Sequence, residues 1–321
     1  MIVGIVVGPG SRARCPIDDS NYSSRLRLLL ARFYRSVSLS RLDGCVMAKR
    51  WLITGCSSGL GRALAARLAA EGEQVVATAR RPEVLAELVE QGRGNLVAAG
   101  LDVRDQAQCE AAVELAVATF GGIDILVNNA AYGQFGAVEE VSDSELVAQF
   151  ETNVFGPWRL TRAVLPMWRA QHSGHAIFVG SVAGLVPFPG LSAYNASKFA
   201  LEGVAESLAS EVAHLGVKVT LLQPGGFATS YSSSLVLPSQ RIDDYAPIIG
   251  GTLSGVQGMN HAEAINSPEL FADVVWRLSR MEKPPLRLPV GPDAEYFLSP
   301  AYAARLKEYD DVIEAGHHTL A

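Results

Sequence analysis

The sequence lacks the features of a metal protein, a disulfide scaffold or a membrane protein. Its four cysteines, Cys15, Cys45, Cys56 and Cys109, show no C-x-x-C spacing. That leaves no zinc signature and suits a reducing compartment. The six histidines form no H-E-x-x-H cluster, and His317-His318 falls in a tail-like end. No apolar run approaches the roughly eighteen residues that a membrane span needs. Positive charge is not in excess either. Against 33 acids stand 27 lysines and arginines, a net charge of −6, which argues against nucleic acid as the main partner. A cytoplasmic location is therefore expected.

What is present is enough apolar sequence for a large core: 49% of 321 residues, with 19% charged. Residues 1–46 read differently from the rest. They hold seven arginines against three aspartates and many serines, and show no strand–turn–helix logic. The apolar opening at residues 2–7 has no basic segment before it, so a secretory signal is a poor fit. Residues 25–34 could form a short basic amphipathic helix, as in a transit segment or a membrane-surface arm. The simpler reading, a dispensable flexible leader with Met47 as the true start, is the one adopted. Residues 47–321 then form one domain.

From residue 50 onward, apolar strands alternate with helical patterns. Strands are expected at 51–53, 74–79, 95–99, 123–127, 175–180, 217–222 and 286–290. Helices are expected from Arg62, and at 83–91, 106–120, 142–168, 192–215 and 267–281. Between about 226 and 266 the pattern dissolves. Such alternation implies an α/β, doubly wound, Rossmann-type fold with a mostly seven-stranded parallel sheet and helices on both faces. Ligands of such sheets bind outside the carboxyl ends of the strands. The polar and glycine punctuation falls at those ends: Thr54-Gly55, Ala79-Arg80, Asp102-Val103, Asn128-Asn129, Gly180-Ser181 and Gln223-Pro224-Gly225.

The first of these ends runs Thr54-Gly55-Cys56-Ser57-Ser58-Gly59-Leu60-Gly61. Glycines there permit a tight turn and let backbone approach a ligand closely, and the following helix start presents free N–H groups to an anion. The spacing lacks the Gly-Lys-Ser/Thr ending of a P-loop. Further along, Tyr194 and Lys198 lie four apart and therefore on one helix face. Ser181 precedes Tyr194 by thirteen residues, and Asn153 sits in the preceding long helix. A nucleophile elbow is excluded at Gly180–Gly184, because the order is G-S-x-x-G.

This combined pattern resembles the short-chain dehydrogenase/reductase family. The likeness is strong over residues 50–230, and the Thr-Gly-Cys-Ser-Ser-Gly loop is similar to the branch with 17β-hydroxysteroid and retinol dehydrogenases. One departure is Ala131, where the family usually has glycine. The resemblance implies NADP(H) or NAD(H) held by Gly55, Ser57, Ser58, Gly59, Leu60 and Gly61. Asp102 would accept from the adenine amino group, with Val103 packing nearby. Asn128, Ala130, Pro224, Gly225, Phe227 and Thr229 would border the dinucleotide. Tyr194 and Lys198 would contact its nicotinamide ribose. NADP(H) is preferred over NAD(H), because the end of the second strand has no carboxylate and offers Arg80 to a 2′-phosphate.

The resemblance further implies a catalytic set of Asn153, Ser181, Tyr194 and Lys198. Elementary chemistry supports it. A free tyrosine titrates near 10, and a neighbouring ammonium such as that of Lys198 favours the phenolate. Tyr194 would then be the acid in carbonyl reduction and the base in alcohol oxidation, with Ser181 donating to the substrate oxygen. Asn153 would hold a water beside Lys198. The substrate pocket would draw on residues 133–135, 182–191 and 230–266, including Phe135, Leu185, Phe188, Leu191, Tyr231 and Leu235. It carries no obvious arginine clamp. A small apolar ketone, aldehyde or alcohol is therefore expected as substrate, and a homodimer or homotetramer as the assembly. A non-catalytic dinucleotide sensor on the same fold is the alternative.

Overall fold

The computed structural model describes residues 48–232, 234–259 and 265–316. The leader, Met47 and His317-His318 lie outside them. β1 (Arg50–Ile53) lies third in a seven-stranded parallel sheet whose order is β3-β2-β1-β4-β5-β6-β7. Its neighbours are β2 (Gln74–Ala79), β3 (Leu96–Gly100), β4 (Ile125–Asn128), β5 (Gly174–Val179), β6 (Val217–Pro224) and β7 (Arg287–Val290). The strands are nearly continuous apolar runs because helices cover both faces. Alternation along a strand sends Leu52, Val76, Leu126 and Phe178 into one core, and Trp51, Ile53 and Val75 to the opposite face.

The first core is closed by α3 (Gln106–Phe120), α5 (Gly156–Gln171) and α6 (Ser192–Val212), through Ala112, Leu160, Val164, Leu201 and Leu208. Trp168 is wholly buried there, and its indole donates to the Ile123 carbonyl at 2.7 Å. On the other face α1 (Gly59–Ala70) packs against α8 (Pro268–Ser279). The order reverses between β1 and β4, and the crevice at such a switch point is where ligands of open α/β sheets bind.

Three expectations change. The first helix starts at Gly59, three residues before Arg62. The helix expected over 142–168 is two helices. α4 (Asp143–Phe150) opens with a Ser142–Glu145 capping box, and a π turn at Glu151–Phe155 precedes α5. Pro157 gives the reason, since it has no N–H to offer the Asn153 carbonyl four residues earlier. Finally, the stretch with no visible pattern contains α7 (Ala246–Gly258), and α9 (Pro292–Glu314) follows β7. Four glycines in α7 and Pro300 in α9 mask both helices. α7 is held by burial of Ile249 and Val256 against Phe135 and Leu191. No helix among the described residues is long and apolar enough to cross a membrane.

Candidate active site

The turn after β1 is fixed from below. Thr54 Oγ1 accepts from the backbone N–H groups of both Asn129 and Ala130 at 2.9 Å. The Asn129 amide donates to the carbonyls of Thr54 and Gly55 at 2.8 and 3.1 Å. Gly55 takes φ +71°, and a Cβ there would stand 2.9 Å from Ala130 Cα, so only glycine fits both the conformation and the space. The start of α1 carries no side-chain cap and no acid in its first turn. Its free N–H groups face outward at the switch point, a ready seat for a phosphate. Ser57 and Ser58 are exposed there. The Ser58 hydroxyl lies 3.0 Å from that of Ser230, while Leu60 and Gly61 turn into the helix.

At the next strand end, Arg80 is exposed. It makes no hydrogen bond or ion pair with the described residues, yet its charge helps to lower the Asp102 carboxyl. Asp102 is engaged by a partner that the sequence did not suggest. The Arg104 guanidinium grips it at 2.6–3.1 Å, and this hydrogen bonding is the main reason its pKa falls. Val103 is buried, against Gly156 at the start of α5. Asn128 is also buried, and its amide donates to Thr161 Oγ1 at 3.1 Å. Its side chain braces β4 against α5, which leaves backbone as its offer to a ligand.

Tyr194 and Lys198 lie on the first turns of α6, in line with the exit of β5. Lys198 is 2% exposed. It donates to the Val179 carbonyl at 2.8 Å and sits 5.6 Å from the Tyr194 ring centre. Burial pushes its pKa down to about 7. Burial also raises the Tyr194 phenol, and the nearby hydroxyls of Ser181 and Tyr231 pull it the other way. The sequence expectation gave that pull to Lys198. In the folded protein the lysine is itself weakened by desolvation, so hydroxyl donors share the task. Ser181 is anchored by accepting from Ala183 N at 3.1 Å.

Asn153 lies within the π turn and is 1% exposed. Its amide donates to the Tyr132 carbonyl at 3.0 Å and to Ser197 Oγ at 3.1 Å, and its Oδ1 accepts from Tyr132 N at 3.2 Å. The side chain is thus committed to protein partners. Pro157 offers no N–H to the Asn153 carbonyl at the usual helical spacing.

Above Tyr194 lies an apolar cluster of Phe135, Leu191, Ile249 and Val256, with Phe188, Tyr231 and Leu235 at its edge. Leu185 instead joins Val182, Ala294 and Leu298 beneath α9. No group of acids, histidines and cysteines able to hold a metal occurs among the described residues. Cys56 and Cys109 are buried, with thiols pushed up to about 12 and about 11, so neither is a nucleophile.

Residues 49–238 match the family model described as short chain dehydrogenase. The chain belongs to the short-chain dehydrogenase family. It is 39% identical over 249 residues to Oxidoreductase BOA17 of Botryotinia fuckeliana, spanning 77% of this chain and 90% of that one. It is 36% identical over 251 residues to human 17-beta-hydroxysteroid dehydrogenase type 1, covering 74% and 75% of the two chains. A short-chain dehydrogenase structure from Streptomyces avermitilis superposes with a TM-score of 0.79 at 39% identity, covering 85% of this chain and 99% of that one.

One feature of this short-chain dehydrogenase escapes motif reading. The loop after β6 is clamped by Asp293 and Asn266. Asp293 Oδ2 accepts from Gly226 N at 2.6 Å, while the Asn266 amide donates to Asp293 Oδ1 at 2.6 Å and to the Gly226 carbonyl at 2.7 Å. Pro224 and Gly225 thereby follow the strand register, with Gly225 N donating to the Val290 carbonyl. Phe227 is buried edge-on to Phe271. Thr229 is brought against Gly59, closing the phosphate turn from the far side. No sequence spacing ties residue 293 to residue 226; the pairing of β6 with β7 does.

Proposed function

We propose that the protein is an NADP(H)-dependent oxidoreductase that interconverts an apolar ketone or aldehyde and its alcohol, with Tyr194 as acid and base. One observation carries the reading: Tyr194, Ser181 and Lys198 meet at the carboxyl end of the sheet, beneath an apolar cluster and on the same edge as the uncapped start of α1. The donor set suits a dinucleotide. Free N–H groups meet its phosphates, and Arg80, with no acid at the end of β2, meets a 2′-phosphate. When bound, the nicotinamide supplies or accepts the hydride.

The chain supplies the rest. Ser181 donates to the reacting oxygen as charge grows on it. Tyr194 protonates that oxygen in reduction and takes its proton in oxidation. Lys198 orients the nicotinamide ribose and adds positive charge while protonated. Behind it, the Asn153 carbonyl joins the relay that refills Tyr194. Asp102, stiffened by Arg104, accepts from the adenine amino group. Exposed Val147, Phe155 and Trp158 on α4, the π turn and α5 support self-association as a homodimer or homotetramer.

A panel of apolar ketones and aldehydes tests this reading through NADPH absorbance. At least one member should be consumed in step with NADPH. NADPH binding without consumption across the panel would favour the dinucleotide sensor instead.

A further inference from the structure

A second phenol enters the site from the loop after β6. The Tyr231 ring centre is 5.6 Å from that of Tyr194, tilted by 49°. Its hydroxyl is shielded from solvent and finds no well-aligned hydrogen bond among the described residues. A buried hydroxyl left in that state is costly, and native proteins rarely keep one without a use. The position is also built for it. Gly133 stands where any Cβ would collide with the Tyr231 hydroxyl. The flanking segment is pinned to residues 133–135, with Val236 N donating to the Gly133 carbonyl at 2.9 Å and Phe135 N to the Val236 carbonyl at 2.7 Å.

The polar surroundings of Tyr194 are few. Lys198 faces it from its own helix, Ser181 from the end of β5 and Tyr231 from the β6 loop. Around the ring, Phe135, Ala183 and Leu191 are apolar. Tyr245 spends its hydroxyl on Glu139, and Arg241, beyond Phe135, is paired with Glu140. An ionised Tyr194 therefore has two hydroxyl donors within reach, and only one of them, Ser181, is needed at the substrate oxygen.

We infer that Tyr231 is a positioning residue that donates its hydroxyl proton to Tyr194 Oη when that oxygen is ionised, so that the two phenols act as a pair. This rests on Tyr194 being the acid and base. In alcohol oxidation, Tyr231 holds the phenolate ready while Ser181 stays on the substrate. In reduction it stabilises the phenolate left once the Tyr194 proton has passed to the alkoxide. Atoms and charge balance in both directions, because Tyr231 keeps its own proton.

The test needs no substrate. The ultraviolet absorbance of tyrosinate is titrated with NADP+ bound, in the wild type and Tyr231→Phe, each against the same protein carrying Tyr194→Phe. The difference isolates Tyr194. Its ionisation should move up by about one to two pH units in Tyr231→Phe, the equivalent of one hydrogen bond to a charged group. Gly133→Ala, which crowds the hydroxyl but keeps the phenol, should move it in the same direction. Superimposed Tyr194 titrations would overturn the pairing and leave Tyr231 a packing residue. If instead Tyr194→Phe keeps full turnover, the acid–base reading fails, whatever the titration shows.

Discussion

Replacing Tyr194 by phenylalanine should leave NADPH bound and lower turnover by about a hundred- to ten-thousand-fold, the range for loss of a positioned proton donor. The substitution removes one oxygen and keeps the ring. That ring packs with Phe135, Ala183 and Leu191, so the cluster around it stays filled. Lys198 keeps its contact with the Val179 carbonyl, and Ser181 keeps its anchor on Ala183 N. The proposed seat for the phosphates, at the ends of β1 and β2 and the start of α1, lies away from the missing oxygen, and Lys198 would still meet the nicotinamide ribose. NADPH affinity measured by fluorescence should therefore be close to that of the wild type, with the loss falling on kcat. Parallel loss of affinity and turnover would mean a collapsed site, and unchanged turnover would remove Tyr194 from the chemistry.

Arg80→Ala should raise the Kd for NADPH by about ten- to a hundredfold and leave NADH within about twofold. A hydrogen bond to a charged group contributes about 1.5–3 kcal/mol, and the 2′-phosphate is the one group by which the two dinucleotides differ. Arg80 is suited to the task because no acid among the described residues already pairs with it. Arg104, by contrast, is bound to Asp102, and Arg62 to Glu87. Isothermal titration with both dinucleotides reads the effect. An equal loss for both would place Arg80 elsewhere, and no loss would assign it to solvent.

Much of the site was legible because its signals are local. The glycine turn, the Tyr194–Lys198 spacing and Ser181 each sit within one strand–turn–helix unit, and strand ends in a parallel sheet bring such units together. What was hidden depends on contacts between distant segments. Asp293 and Asn266 act on Gly226 through the β6–β7 register. The π turn at Asn153 needs Pro157 read as a missing donor inside a helical pattern. α7 defied its own glycines because tertiary burial outweighs propensity. The balance of charge around Tyr194 was not legible either. The spacing shows Lys198 near the phenol, but desolvation of both groups appears only once the core closes over them.

Isotopic labelling reads hydride transfer between NADPH and an apolar carbonyl atom by atom. NADPH carrying deuterium at both positions of its reactive ring carbon is incubated with the enzyme and a ketone from the panel, and the alcohol is examined by mass spectrometry and NMR. Each alcohol formed should carry one deuterium on its carbinol carbon, and Tyr194→Phe should give no labelled product on the same timescale. Bound NADPH that keeps its label with every carbonyl tested would mean that the protein is not a carbonyl reductase.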